Sequence, residues 1–105
     1  AFVAQSAHAL EEASEELKND KEVVLAAISV DAFAIQFASE ELRNDREVVL
    51  AAVSQNGKAL KFASEELKND SEVVRAAIFQ DRRALRFAPP KFRMDPEMRA
   101  AIGLV

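Results

Sequence analysis

The sequence predicts an all-α fold, a short α-solenoid of stacked two-helix repeats, with about four copies and seven to eight helices in all. Three observations predict it. The string ASEELKND at residues 13–20 returns as ASEELRND at 38–45 and as ASEELKND at 63–70, a period of 25 residues. Over that period residues 13–37 match 38–62 at 16 of 25 positions, and 38–62 match 63–87 at 16 of 25. Composition agrees: the 105 residues include twenty alanines but only two glycines and three prolines, a helix-forming mixture with short turns. Within each period, apolar residues fall at helical spacing on either side of one polar break.

The chain reads as a single domain, 1–105, with repeats at approximately 6–30, 31–55, 56–80 and 81–105 after a partial helix at 1–5. The first helix of each repeat starts at an N-cap, Ser6, Asp31, Asn56 or Asp81, whose side-chain oxygen can take a free backbone N–H. Its apolar stripe is Leu60, Ala63 and Leu67, widened by Phe62; one repeat earlier it is Ile35, Ala38, Leu42 and Phe37. Asn19, Asn44 and Asn69 are expected to close it in the left-handed conformation that asparagine tolerates. The second helix starts at Asp20, Asp45, Asp70 or Asp95, with Glu22, Glu47, Glu72 or Glu97 in its first turn favouring the helix dipole. Pro96, directly after Asp95, fixes this register, because proline suits the first helical position. The buried stripe of the second helix is Val48, Val49, Ala52 and Val53. A fourth copy, APPKFRMD at 88–95, is degraded, and Pro89 and Pro90 are expected to stop its first helix about a turn and a half early. Helices of roughly nine to twelve residues are marginal alone, so each must bury its stripe against a neighbour.

Composition excludes several function classes. The chain contains no cysteine, so disulfides, thiolate metal sites and thiol nucleophiles are ruled out. No apolar run approaches the ~20 residues of a membrane span. The net charge of −4 conceals an asymmetry: residues 1–52 carry eleven acidic and four basic side chains, −7, whereas 53–105 carry seven acidic and ten basic, +3. Such polarity favours ordered docking, and the basic end can meet an anionic surface.

Candidate chemistry is sparse. His8 is the sole histidine, so no histidine metal triad or relay exists; its equivalents Phe33, Lys58 and Arg83 make it a solvent-facing site. The pairs Glu15-Glu16, Glu40-Glu41 and Glu65-Glu66 read as a solvated acidic ladder paired with Lys18, Arg43 and Lys68, not as a catalytic carboxylate pair. Phe37, Phe62 and Phe87 recur at the period and read as a buried aromatic ladder. No phosphate loop, nucleophile elbow or dinucleotide fingerprint occurs. No cofactor is expected, and the chain reads as a non-enzyme.

Positions that break the repeat's own rule point to partners, because what the scaffold requires is shared among copies. Val30 and Phe33 stand where other copies are polar, Phe79 replaces Ser29 and Ser54, and Arg75 replaces Leu25 and Leu50. These, with Arg82, Arg83, Arg86, Lys91 and Arg93 at the basic end, are the candidate partner-contact residues. The basic end lacks the per-repeat polar code of RNA-binding repeats, and no tyrosine or tryptophan is present for stacking.

The string running from Ala38 to Leu67 closely resembles the short tandem repeats catalogued as domain of unknown function 4116, and the resemblance extends from about Leu10 to Ile102. It implies the repeat fold and supplies no activity or catalytic residue; Glu12 and Pro89-Pro90-Lys91 depart from the pattern. The opening Ala1-Phe2-Val3-Ala4 resembles the Phe-containing processing site of proteins targeted to red-lineage plastids, and implies a plastid location, otherwise cytoplasmic. The expected function is a non-catalytic interaction module: a structural or linker subunit of a larger protein complex, which the opening tetrapeptide points toward the periphery of a plastid photosynthetic membrane complex. Peripheral membrane association is compatible with it. Binding of nucleic acid or an anionic surface through the basic end is the alternative.

Overall fold

A computed structural model describes residues 7–101, and within them the fold is all-α. In chain order the elements are α1 (Ala7–Glu11), α2 (Glu15–Lys18), α3 (Lys21–Val30), η1 (Ala32–Phe37), α4 (Glu40–Arg43), α5 (Arg46–Gln55), η2 (Gly57–Phe62), α6 (Glu65–Lys68), α7 (Ser71–Gln80), η3 (Arg82–Phe87), η4 (Pro90–Arg93) and α8 (Pro96–Ala101), where η marks a 3₁₀ helix. Each repeat therefore has three helical segments, not two. The expected first helix is cut at Ala38-Ser39 and Ala63-Ser64 into a six-residue 3₁₀ helix and a four-residue α-turn.

The cut has a local cause. Ser39 adopts φ −61, ψ 160, and its hydroxyl accepts the Leu42 N–H at 3.2 Å, so it is an N-cap and not a helix interior residue. Its own N–H, which a continuous helix would consume internally, donates to Lys18 O of the preceding repeat at 3.0 Å. Ser64 does the same with Arg43 O at 3.0 Å. The backbone gives up one intrahelical bond and gains one across the seam.

The six residues before each cut are 3₁₀, closed by i to i+3 bonds such as Ala34 N–H to Asp31 O at 2.9 Å. Three residues per turn put Ala32, Ile35 and Ala38 on one face, and all three are buried. Asp31, Asn56 and Asp81 cap these segments through the N–H of Phe33, Lys58 and Arg83. Ser6 and the partial helix expected at 1–5 lie outside the described residues.

Asp20, Asp45 and Asp70 cap the ten-residue helices as expected, each accepting two N–H groups, and Asp95 accepts the Met98 N–H with Pro96 leading α8. The stripe Val48, Val49, Ala52 and Val53 is fully buried. The asparagines do not enter the left-handed region. Asn19 has φ −103, ψ 10 and Asn44 φ −106, ψ 12, because the turn closes by sharing each Asn N–H between two carbonyls, a right-handed 3₁₀-like tightening.

Nor do Pro89 and Pro90 shorten their helix: η3 has the same six residues as η1 and η2. The break already exists in every copy, and the N-cap φ of about −60° is proline's own, so Pro89 (φ −57) fits without strain.

Repeats pack in chain order, α3 on α5, α5 on α7 and α7 on α8, with η1 on η2 and η2 on η3. The molecule measures 50 × 21 × 17 Å. Lys21 joins the stack by reaching Asp45 at 3.2 Å and Glu47 at 2.8 Å; Arg46 reaches Asp70 at 3.4 Å and Glu72 at 2.6 Å.

Candidate functional site

The ten-residue helices bury one side and leave Glu22, Ala26, Ser29 and Val30 of α3 exposed, with Ser54 and Gln55 of α5 and Arg75, Phe79 and Gln80 of α7. Two of the predicted contact residues stand out there: Val30 is 53% exposed and Phe79 is 85% exposed. Glu72, Arg75, Ala76, Phe79 and Gln80 of α7 and Ser54 of α5 line a shallow groove of about 510 Å³. The exposed Phe79 ring makes its lining a surface for an apolar side chain.

Phe33 behaves differently from Phe79. It is half-buried, and its ring meets Phe62 edge-on at 6.0 Å between centroids and 81° between planes. The expected ladder of Phe37, Phe62 and Phe87 is corrected by this contact: all three rings are only half-buried, and Phe62 pairs with the irregular Phe33. At position 62 the 3₁₀ turn carries the side chain toward the edge of the core, and Lys61 lies over its ring at 4.9 Å.

The basic end is distributed over two segments. Arg82, Arg83 and Arg86 are exposed on η3, and Lys91 and Arg93 are exposed on η4. Arg83 makes a two-pronged contact with Asp81, both bonds 3.1 Å, so its hydrogen bonds hold the Asp81 carboxyl below its ordinary range, with Lys58 acting in the same direction. Lys58 thereby joins the basic side of the molecule from the adjacent repeat. Arg86 lies 5.4 Å from the Phe87 ring and Lys91 5.2 Å from the Phe92 ring. The acidic pairs are all exposed, and Lys18 and Lys68 pair with Glu15 and Glu65 at 3.7 and 3.3 Å, the weak solvated arrangement expected. Arg43 instead donates Nε–H to Ala38 O at 3.2 Å.

The His8 side chain and Ala1-Phe2-Val3-Ala4 lie outside the described residues. Among the described residues no group of three His, Cys, Asp or Glu side chains is placed to hold a metal, and no helix is long and apolar enough to cross a membrane.

The seams were not foreseen from the sequence. Beyond the backbone bonds, Ser39 Oγ donates to Asn19 Oδ1 at 2.6 Å and Ser64 Oγ to Asn44 Oδ1 at 2.5 Å. At the last seam Pro89 has neither hydroxyl nor N–H to offer, and Met94, 75% exposed, takes the asparagine's place. The rule that singled out Phe79, departure from the repeat, would also have found Met94.

With this geometry fixed, the family pattern can be laid over it. The model for the domain of unknown function DUF4116 matches residues 1–43, 25–66 and 45–93, three overlapping segments that span most of the chain. The chain belongs to the DUF4116 family. Each DUF4116 match is longer than one 25-residue period, so each includes the residues of a repeat and of its seam with a neighbour. No curated protein and no solved structure matches the chain.

Proposed function

We propose that this DUF4116 chain is a non-catalytic helical-repeat interaction module, a structural or linker subunit of a larger protein assembly. The observation that carries the reading is the division of labour between shared and unshared positions. The apolar residues common to the copies are in the core, whereas Val30, Phe79 and Met94, which break the pattern, are the large apolar side chains left exposed among the described residues. An exposed Phe at a position held by serine in the other copies supports a contact there. The finer reading, a peripheral subunit of a plastid photosynthetic membrane complex, draws its support from the Ala1–Ala4 tetrapeptide alone.

Gradient sedimentation of the native protein from its source, with mass spectrometry of the co-migrating species, tests both levels. Migration within a large assembly supports the module reading, and the identity of the neighbours decides the plastid reading. Recovery as a free monomer overturns the module reading. The basic end gives one reason for a second reading, nucleic-acid binding; a particle that nuclease dissolves, with affinity falling steeply in salt, would favour it.

A further inference from the structure

Every seam between α-turns is closed in the same way except the last. Between α2 and α4, and between α4 and α6, a serine N–H and hydroxyl bridge to the preceding repeat. Between α6 and η4 Pro89 stands in that place, and a groove of about 380 Å³ is lined by Asn69, Ser71, Lys91, Phe92, Met94 and Asp95. Beyond Pro89, five substitutions make this groove unlike its counterparts: Phe92 replaces leucine, Ser71 replaces the cation held by Lys21 and Arg46 elsewhere, and three more lie on η4 and its end. Met94 replaces asparagine and puts an exposed thioether on the wall; Lys91 replaces the second glutamate of the acidic pair; Pro90 replaces the first. The ring of Phe92 lies under the Lys91 ammonium and is 5% exposed. Arg93 follows on the same segment, and the arginines of η3 carry the same sign of charge alongside. The one carboxylate on the lining, Asp95, accepts the Met98 N–H as the cap of α8.

We infer that this seam receives an acidic segment of a partner protein, one apolar side chain entering the groove against Met94 and flanking carboxylates meeting Lys91 and Arg93. Charge complementarity selects the occupant: α6 keeps Glu65 and Glu66, but on the η4 side of the seam the acidic pair of the other copies is replaced by proline and lysine, with Arg93 beyond them. A nucleic acid would need open ring faces for its bases, whereas Phe92 is buried and Phe87 already carries Arg86. A bilayer would need a broad apolar face, and η4 offers one methionine. The inference rests on the interaction-module reading and names its partner class.

The test is an anisotropy titration of the whole chain with a fluorescein-labelled peptide of three acidic residues on each side of one leucine. A matched peptide carrying serine in place of the leucine, an oligouridylate and phosphatidylserine vesicles are run alongside. The leucine peptide should bind about tenfold more tightly than the serine peptide, and Lys91→Glu with Arg93→Glu should weaken it about tenfold or more. Met94→Asn restores the residue found in the other copies, so it folds, and it should abolish the leucine preference. Lys18→Glu, at a different seam, should change nothing. Equal binding of the two peptides, indifference to the charge reversal, or binding of oligouridylate or vesicles without the peptide overturns the assignment. If the native protein sediments in its assembly while the isolated chain ignores the peptide, this groove fails and the module reading stands.

Discussion

At Gly57 the backbone of α7 leaves no room for a side chain. The equivalent of Gly57 in the preceding repeat is Ala32, whose Cβ is buried without conflict, but a Cβ built at Gly57 runs into the carbonyl oxygen of Ala77 on α7. That obstacle is backbone and cannot rotate away. Gly57→Ala should therefore cost about 1–3 kcal/mol, read as a lower urea midpoint with an unchanged slope. Asp45 is the second informative residue. It caps α5 by accepting the N–H of Glu47 at 3.0 Å and of Val48 at 3.2 Å, and it receives Lys21 from the preceding repeat. Asp45→Ala should cost about 1–2 kcal/mol in the same assay, most of it from the lost cap, since a solvated ion pair adds only tenths. The aspartate caps were legible in the sequence because their chemistry is local. The partner of Phe33 was not, because ring pairing across a seam depends on where two backbones end up, and a one-dimensional period cannot place Phe33 against Phe62.

At the scale of elements, the apolar period from Leu60 through Leu67 read as one helix, and the chain makes two. The competing signal was present: a serine followed by two glutamates is a helix start, and it recurs in ASEEL. The apolar stripe does not distinguish the two, because Leu60, Ala63 and Leu67 fit an α-helix and a broken 3₁₀-to-α path equally well, and all three are buried. The serine cap marks the break at Ser14, Ser39 and Ser64 alike, and at Ser39 and Ser64 the serine N–H adds a seam bond that no intrachain periodicity reveals. Two substitutions separate the parts of that seam. Ser64→Ala removes the hydroxyl that bonds Asn44 and caps α6, but keeps the N–H that reaches Arg43 O. Ser64→Pro suits the φ of −62 but removes both. Thermal unfolding should rank wild type above Ser64→Ala above Ser64→Pro, the last step measuring the backbone bond at about 0.5–1.5 kcal/mol. Equal stability of the two variants would show that the backbone bond contributes nothing. The same comparison explains why the fourth copy tolerates Pro89 with η3 at full length.

Over the whole molecule, charge and stacking are coupled. Burial pushes the Asp45 carboxyl up, but the Val48 N–H, the Lys21 ammonium and the Glu47 N–H outweigh it and hold the group below its ordinary 3.8. Hydrogen bonds from Arg83 do the same for Asp81, and hydrogen bonds to Glu47 and Asp45 raise Lys21 above 10.5. A lowered carboxyl contributes stability that is present above its unfolded value and lost as pH falls through its folded value. A raised ammonium contributes stability that is present below its unfolded value and lost as pH rises through its folded value. The melting temperature should therefore hold level between those limits and fall below pH 3.8 and above pH 10.5, with Asp45→Asn flattening part of the acid limb. The all-α architecture and the 25-residue frame were legible because they are statements about period, and the charge asymmetry because it is a count. How the copies join was not, since the seams combine a backbone N–H that any residue but proline carries with Ser–Asn and ion pairs some 20 to 26 residues apart, and a period does not say which repeats touch.

That joining is also what would make the repeats one surface with fixed spacing, and it can be measured directly by hydrogen exchange at the Ser39 and Ser64 amides. If the seams hold the copies together, both amides exchange about as slowly as those in the core of α5, orders of magnitude below the rate of an open chain. Exchange of both at the open-chain rate, with α5 still protected, would mean that the repeats are not locked to one another and would contradict the account.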